Sequence, residues 1–186
     1  MSHRQIAACL IFVLAAALCV QEYGVSAVCL RNLIFLGALL YLSMVDLQHY
    51  MIPDKALLAA VLAWFGTIPF AYDAYGGIFG VLGSVMSAVV YGGGILLFTL
   101  VMDRLLQKET MGGGDIKLFA VTGLYLGLLK AMFAMFLACI LGLCFAFLRR
   151  KSEIPQMPFG PSIAAACWVM LLYGDIVQAW YMTLMF

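Results

Sequence analysis

Charge is what this sequence has least of. Ten lysines and arginines and nine aspartates and glutamates make up 10% of 186 residues, where a soluble domain carries roughly a quarter. With 66% hydrophobic residues, a water-exposed surface would be a continuous apolar patch, which excludes an ordinary soluble domain. A net charge of +1 and the lack of a basic stripe argue against nucleic acid as a partner. None of the six cysteines forms a Cys-x-x-Cys, and no zinc-type spacing occurs, so no metal is expected. A disulfide framework belongs to small secreted domains, and these cysteines read as small packing residues in helices. Repeats, low-complexity segments and long linkers are also lacking. What remains is an all-α, polytopic membrane bundle, a single integral-membrane domain over residues 1–186, in contact with the lipid bilayer.

What is present is apolar runs. A helix needs about 20 residues to cross the hydrocarbon. Spans are expected at about 5–21, 27–45, 55–71, 78–102, 130–148 and 160–182. Arg4 followed by Ile6 to Val20 resembles a signal peptide, but the spans that follow favour an uncleaved first span. The segment 116–128 is short for a span, about 20 Å as a helix. Charge placement argues that it crosses. Seven spans, with a tight turn near Leu128–Lys130, put eight of the ten basic residues on the cytoplasmic side and leave only Arg31 and Lys130 outside. Six spans, with 116–128 dipping in and out, is the alternative. The many glycines read as close helix packing, and Gly92-Gly93-Gly94 as an interruption that could serve as a hinge.

Two of the few carboxylates stand at span ends. Asp46 lies in Val45-Asp46-Leu47-Gln48-His49-Tyr50-Met51-Ile52-Pro53-Asp54, and Asp115 in Gly112-Gly113-Gly114-Asp115-Ile116-Lys117. In the seven-span arrangement both reach the cytoplasmic face from different helices. A carboxylate beside lipid is costly and tends to be kept for function, and two brought together can share a proton and activate water. Each also has a plain structural reading. Asp115 can cap the helix that follows the glycines. Pro53 and Asp54 suit the first turn of the next helix. Lys117 can favour an ionised Asp115 or meet headgroups. His49 can lie one turn from Asp46, with a minor effect on charge.

Taken together, the motifs resemble those of the type IV prepilin peptidases and the related preflagellin peptidases. The family pattern of an aspartate followed after seven and eight residues by Pro-Asp is met by Asp46, Pro53 and Asp54. Its Gly-x-Gly-Asp-x-Lys is met by Gly112, Gly114, Asp115 and Lys117, and Pro158-Phe159-Gly160-Pro161 resembles a third signature. The resemblance covers about residues 27–182. It implies that Asp46 and Asp115 form the catalytic pair, supported by Gly112, Gly114, Lys117, Pro53 and Asp54. It further implies that prepilin or pseudopilin precursors lose their leader after a glycine at the cytoplasmic face of the inner membrane. No cofactor is implied. A coupled pair titrates together, so the residues alone do not assign acid and base. Long members of the family carry a methyltransferase domain after the first span. The few residues near Gln21-Glu22-Tyr23-Gly24 leave no room for it there, so a peptidase-only form is expected. Three other readings stand beside this one: a small transporter or channel using membrane aspartates, a Gly-x-Gly-Asp protease acting within other proteins' spans, and a family member that has lost activity and only scaffolds an assembly.

Overall fold

The computed structural model describes residues 3–49, 51–148 and 159–185, with side chains from residue 12 onward except at 148. Apolar runs that meet no water must satisfy their own backbone groups, and helices do so. Seven α-helices form among the described residues: α1 His3–Tyr23, α2 Ala27–His49, α3 Asp54–Ala71, α4 Gly77–Leu106, α5 Gly113–Leu126, α6 Leu128–Leu148 and α7 Gly160–Met185. A single 3-10 turn, Asp73–Tyr75, precedes α4, and no strand occurs among the described residues. The all-α membrane bundle expected from composition is what forms. Large apolar side chains such as Phe79, Phe98, Phe136 and Phe147 cover its exterior, a surface suited to lipid.

Five helices, α2, α3, α4, α6 and α7, are long and apolar enough to cross a membrane. The described side chains of α1 add a shorter apolar stretch, Phe12–Tyr23. At 14 residues, α5 is about 21 Å long, and its shortness has a packing reason. Eight of its residues, Leu118, Phe119 and Val121 to Leu126, are buried, so it is enclosed by other helices rather than by lipid. It packs on α3, α4, α6 and α7. Phe35 of α2 stacks on Tyr125 with ring centroids 4.0 Å apart. The Tyr125 hydroxyl donates to the Ala60 carbonyl of α3 at 2.7 Å, and Thr122 meets Cys167 of α7 at 3.3 Å.

One sequence expectation needs correction. Gly92-Gly93-Gly94 do not interrupt α4, which runs unbroken for 30 residues. Gly92 is instead a contact point: a Cβ there would lie 2.6 Å from Ala120 Cβ of α5. Gly123 answers from α5, where a Cβ would lie 2.9 Å from the Ser87 carbonyl oxygen. The glycines let two backbones approach, as the close-packing reading expects. The tight turn expected near Leu128–Lys130 does form, one residue before that stretch. It is the single residue Gly127, at φ 76° and ψ 169°, and α6 starts at Leu128. Only glycine takes that conformation readily.

Candidate active site

Asp46 lies in the last turn of α2 and is buried. Its Oδ2 accepts a hydrogen bond from the Gly160 backbone N–H at 2.8 Å. Gly160 opens α7, and the first N–H groups of a helix have no partner within it. One of them is spent on the carboxylate. Glycine is needed for the approach, because a Cβ at 160 would lie 2.7 Å from Asp46 Oδ2. Pro161 follows in the first turn, where a missing N–H costs nothing. Phe159 packs over Gly142 of α6, where a Cβ would lie 2.8 Å from the ring. The first sequence motif and the Phe159-Gly160-Pro161 segment thus meet at one oxygen, while Pro158 lies outside the described residues.

Asp115 is the third residue of α5. The expectation that it caps this helix is not met. Gly112 holds the cap position in extended conformation, at φ −70° and ψ 143°, with no side-chain cap bond. Its carbonyl accepts the Asp115 N–H at 3.1 Å and the Ile116 N–H at 3.4 Å. The Asp115 carboxyl is therefore not used by its own helix terminus. The three glycines differ. A Cβ at Gly114 would lie 2.8 Å from Ile52 Cβ, one at Gly112 would make an ordinary 3.6 Å contact with Asp115 Oδ2, and one at Gly113 would meet nothing within 4 Å.

The two motifs are fastened to each other. Gly114 presses on Ile52, and Lys117 Nζ donates to Asp54 Oδ1 at 2.7 Å. The expected partnership of Lys117 with Asp115 is thus replaced by one with Asp54. Both partners are exposed, and such pairs contribute only about 0–1 kcal/mol, so the bridge sets register more than stability. Pro53 sits one position earlier than the first helical turn, as the residue preceding α3, and its carbonyl accepts the Ala56 N–H at 3.1 Å. His49 is exposed at the end of α2.

Asp115 stands ahead of the apolar stretch of α5, outside the membrane-crossing segments. Burial pushes its carboxyl up to about 6, and the Asp46 carboxylate adds to that rise. Two acids from separate motifs thus interact, one of them holding its proton toward neutral pH. A carboxyl raised by burial and by a second carboxylate is suited to stay protonated beside an ionised partner. No group of three or more metal-ligating side chains occurs among the described residues.

Residues 33–147, which hold both aspartates, match the model of the type IV leader peptidase family. The chain belongs to the type IV leader peptidase family. It is 31% identical over 160 residues to the prepilin leader peptidase/N-methyltransferase of Aeromonas hydrophila, covering 83% of this chain and 53% of that one. Proteins of the same name from Neisseria gonorrhoeae (29%, 87% of this chain and 56% of that one) and Pseudomonas aeruginosa (32%, 81% and 51%) are similarly related. The chain spans about half the length of these curated relatives. No solved structure matches it significantly.

Two features of this leader peptidase family member escaped sequence reasoning. The Phe159-Gly160-Pro161 segment was visible as a signature but gave no sign that its glycine N–H holds Asp46. The Asp54–Lys117 pair joins residues 63 positions apart. Only their opposite charge, within two motifs expected on one membrane face, hinted at it.

Proposed function

We propose that this chain is a membrane-embedded aspartic endopeptidase that removes the leader of prepilin or pseudopilin precursors, with Asp46 and Asp115 as its catalytic residues. The observation that carries this reading is the placing of two carboxyls from separate motifs at one end of the bundle: Asp46 is oriented by the Gly160 N–H at 2.8 Å, and Asp115 is raised to about 6, first by burial and then by the charge of Asp46. In such a pair one carboxylate takes a proton from water while the protonated partner polarises the scissile carbonyl. The water oxygen attacks, and the proton passes to the leaving amine. No cofactor enters this chemistry.

The cytoplasmic face of the inner membrane is favoured by charge. Lys55 and Lys117 lie at the carboxylate end, and Arg104 and Lys108 immediately precede the glycine loop, as cytoplasmic segments prefer. An apolar groove of about 600 Å³ supports a membrane-anchored substrate. It runs between α4, α5 and α6, past Ile95, Phe98 and Met132, and reaches Met111 and Phe159, the residues before Gly112 and Gly160. An apolar substrate segment lying there would deliver the adjoining peptide bond, after a glycine by resemblance, to the two acids. Peptidase action without N-methylation is part of the proposal. Only Gly24 to Ser26 separate α1 from α2, so that connection holds no further domain.

The test is co-expression with a panel of prepilin-like precursors, reading the mature N-terminus by mass spectrometry. Cleavage after a glycine is expected, with complete loss in Asp46→Asn and in Asp115→Asn while both variants still insert. Cleavage retained by either variant removes that residue from the mechanism.

A further inference from the structure

The two basic residues that break the charge bias, Arg31 and Lys130, converge on one cavity at the end of the bundle opposite the aspartates. The cavity measures about 270 Å³ and is lined by α1, α2, α4, α5, α6, α7 and the Asp73–Tyr75 turn. Arg31 is only 8% exposed. Its Nε donates to Asn32 Oδ1 at 3.0 Å, and its guanidinium lies over the rings of Tyr75 and Tyr125, at 5.0 and 5.3 Å from their centroids. The terminal nitrogens have no hydrogen-bond partner among the described residues, and no carboxylate forms an ion pair with Arg31 there. The one acid among the residues that line this cavity, Asp175, pairs with Lys130. The tyrosine hydroxyls are occupied too. Tyr23 donates to Leu171 O, Tyr125 to Ala60 O, and Tyr75 bonds Thr67.

A guanidinium withdrawn from water is costly unless an anion or a full set of acceptors answers it. Here Asn32 and the two rings hold the guanidinium, but the terminal nitrogens, the fork that grips paired carboxylate or phosphate oxygens, are without a partner in a residue that lines the cavity. With Lys130 and Asp175 cancelling, the side chains that line the cavity carry one further positive charge, that of Arg31. We propose that Arg31 anchors a binding site for a singly charged phosphate-type oxyanion at this end of the bundle. A phospholipid phosphodiester of the adjoining leaflet and free phosphate share that chemistry. The volume admits a phosphate group with part of its substituent, and Lys130 at the mouth supplies a second donor.

The experiment uses the full chain, purified in detergent and stripped of lipid. In one arm, phosphatidylglycerol or a phosphate-free galactosyl diacylglycerol is added and retained lipid is read by native mass spectrometry. In the other, inorganic phosphate is added without lipid and the thermal midpoint is followed. The proposal expects retention of phosphatidylglycerol but not of the glycolipid if the source is lipid, or a midpoint rise with phosphate alone if it is the free ion. In Arg31→Gln the operative signal should fall about tenfold, with Arg31→Lys intermediate because charge remains and the fork is lost. Should Arg31→Gln fail to fold, Lys130→Gln at the mouth and the two-lipid comparison on the unaltered chain decide. Equal retention of both lipids with no response to phosphate overturns the proposal, as does an unchanged signal in a folded Arg31→Gln.

Discussion

Gly160→Ala offers the sharpest test of how the pair is held. The added Cβ would lie 2.7 Å from Asp46 Oδ2 and 3.1 Å from its Cβ and Cγ. Carbon and oxygen do not approach closer than about 3.3 Å without strain, so the carboxylate or the start of α7 must move by about 0.6 Å. Either movement weakens the 2.8 Å bond from the Gly160 N–H. A hydrogen bond to a charged group contributes about 1.5–3 kcal/mol, and each ~1.4 kcal/mol lost from the transition state is tenfold in rate. Cleavage should therefore slow by about 10- to 150-fold. Gly160 is a positioning residue, so the loss should fall on kcat more than on KM, and the chain should still insert and melt cooperatively. The assay is cleavage of a purified precursor in nanodiscs, followed by mass, beside a thermal melt. Activity within about twofold of the unaltered protein, in a well-folded variant, would mean that the Gly160 bond does not hold Asp46 for catalysis.

The glycine loop should be graded rather than uniformly sensitive. Gly114→Ala, with its Cβ 2.8 Å from Ile52, should lower activity strongly, while Gly113→Ala, facing open space, should be silent in the same cleavage assay. Gly112→Ala should be mild, since its contact is ordinary and its φ of −70° suits any residue. A further expectation concerns pH. The Asp115 carboxyl is raised from 3.8 to about 6 on folding, so the folded state binds that proton more tightly than the unfolded chain. Its contribution to stability is full below about pH 4 and is lost as pH rises through 6. The melting temperature difference between the unaltered protein and Asp115→Asn should shift across that window, and cleavage should decline above it as the pair loses its proton. A flat difference would place the carboxyl elsewhere on the pH scale. Finally, a double-mutant cycle on Asp54→Asn and Lys117→Gln should return a coupling of at most about 1 kcal/mol, because both groups are exposed. A larger value would mean that the pair works within a more buried network.

The sequence by itself determined the class of molecule and singled out the motifs on which the proposed chemistry rests. Apolar runs in a chain with little charge leave helices in lipid as the consistent outcome, and element positions followed within a few residues. The motifs around Asp46 and Asp115 were legible because rare carboxylates at span ends stand out against an apolar background. The tertiary structure decided what those residues touch. Whether Asp115 caps α5 or is left for chemistry depends on Gly112 taking the cap position. That Lys117 meets Asp54, and that the Gly160 N–H meets Asp46, depends on how α3, α5 and α7 converge. The burial of Arg31 beneath two tyrosines was equally invisible, since hydropathy marks an arginine only as a span boundary. The reason is common to all of these. Helix formation in lipid is dictated locally, residue by residue, whereas a contact between distant motifs exists only once the glycine-lined faces of neighbouring helices have packed.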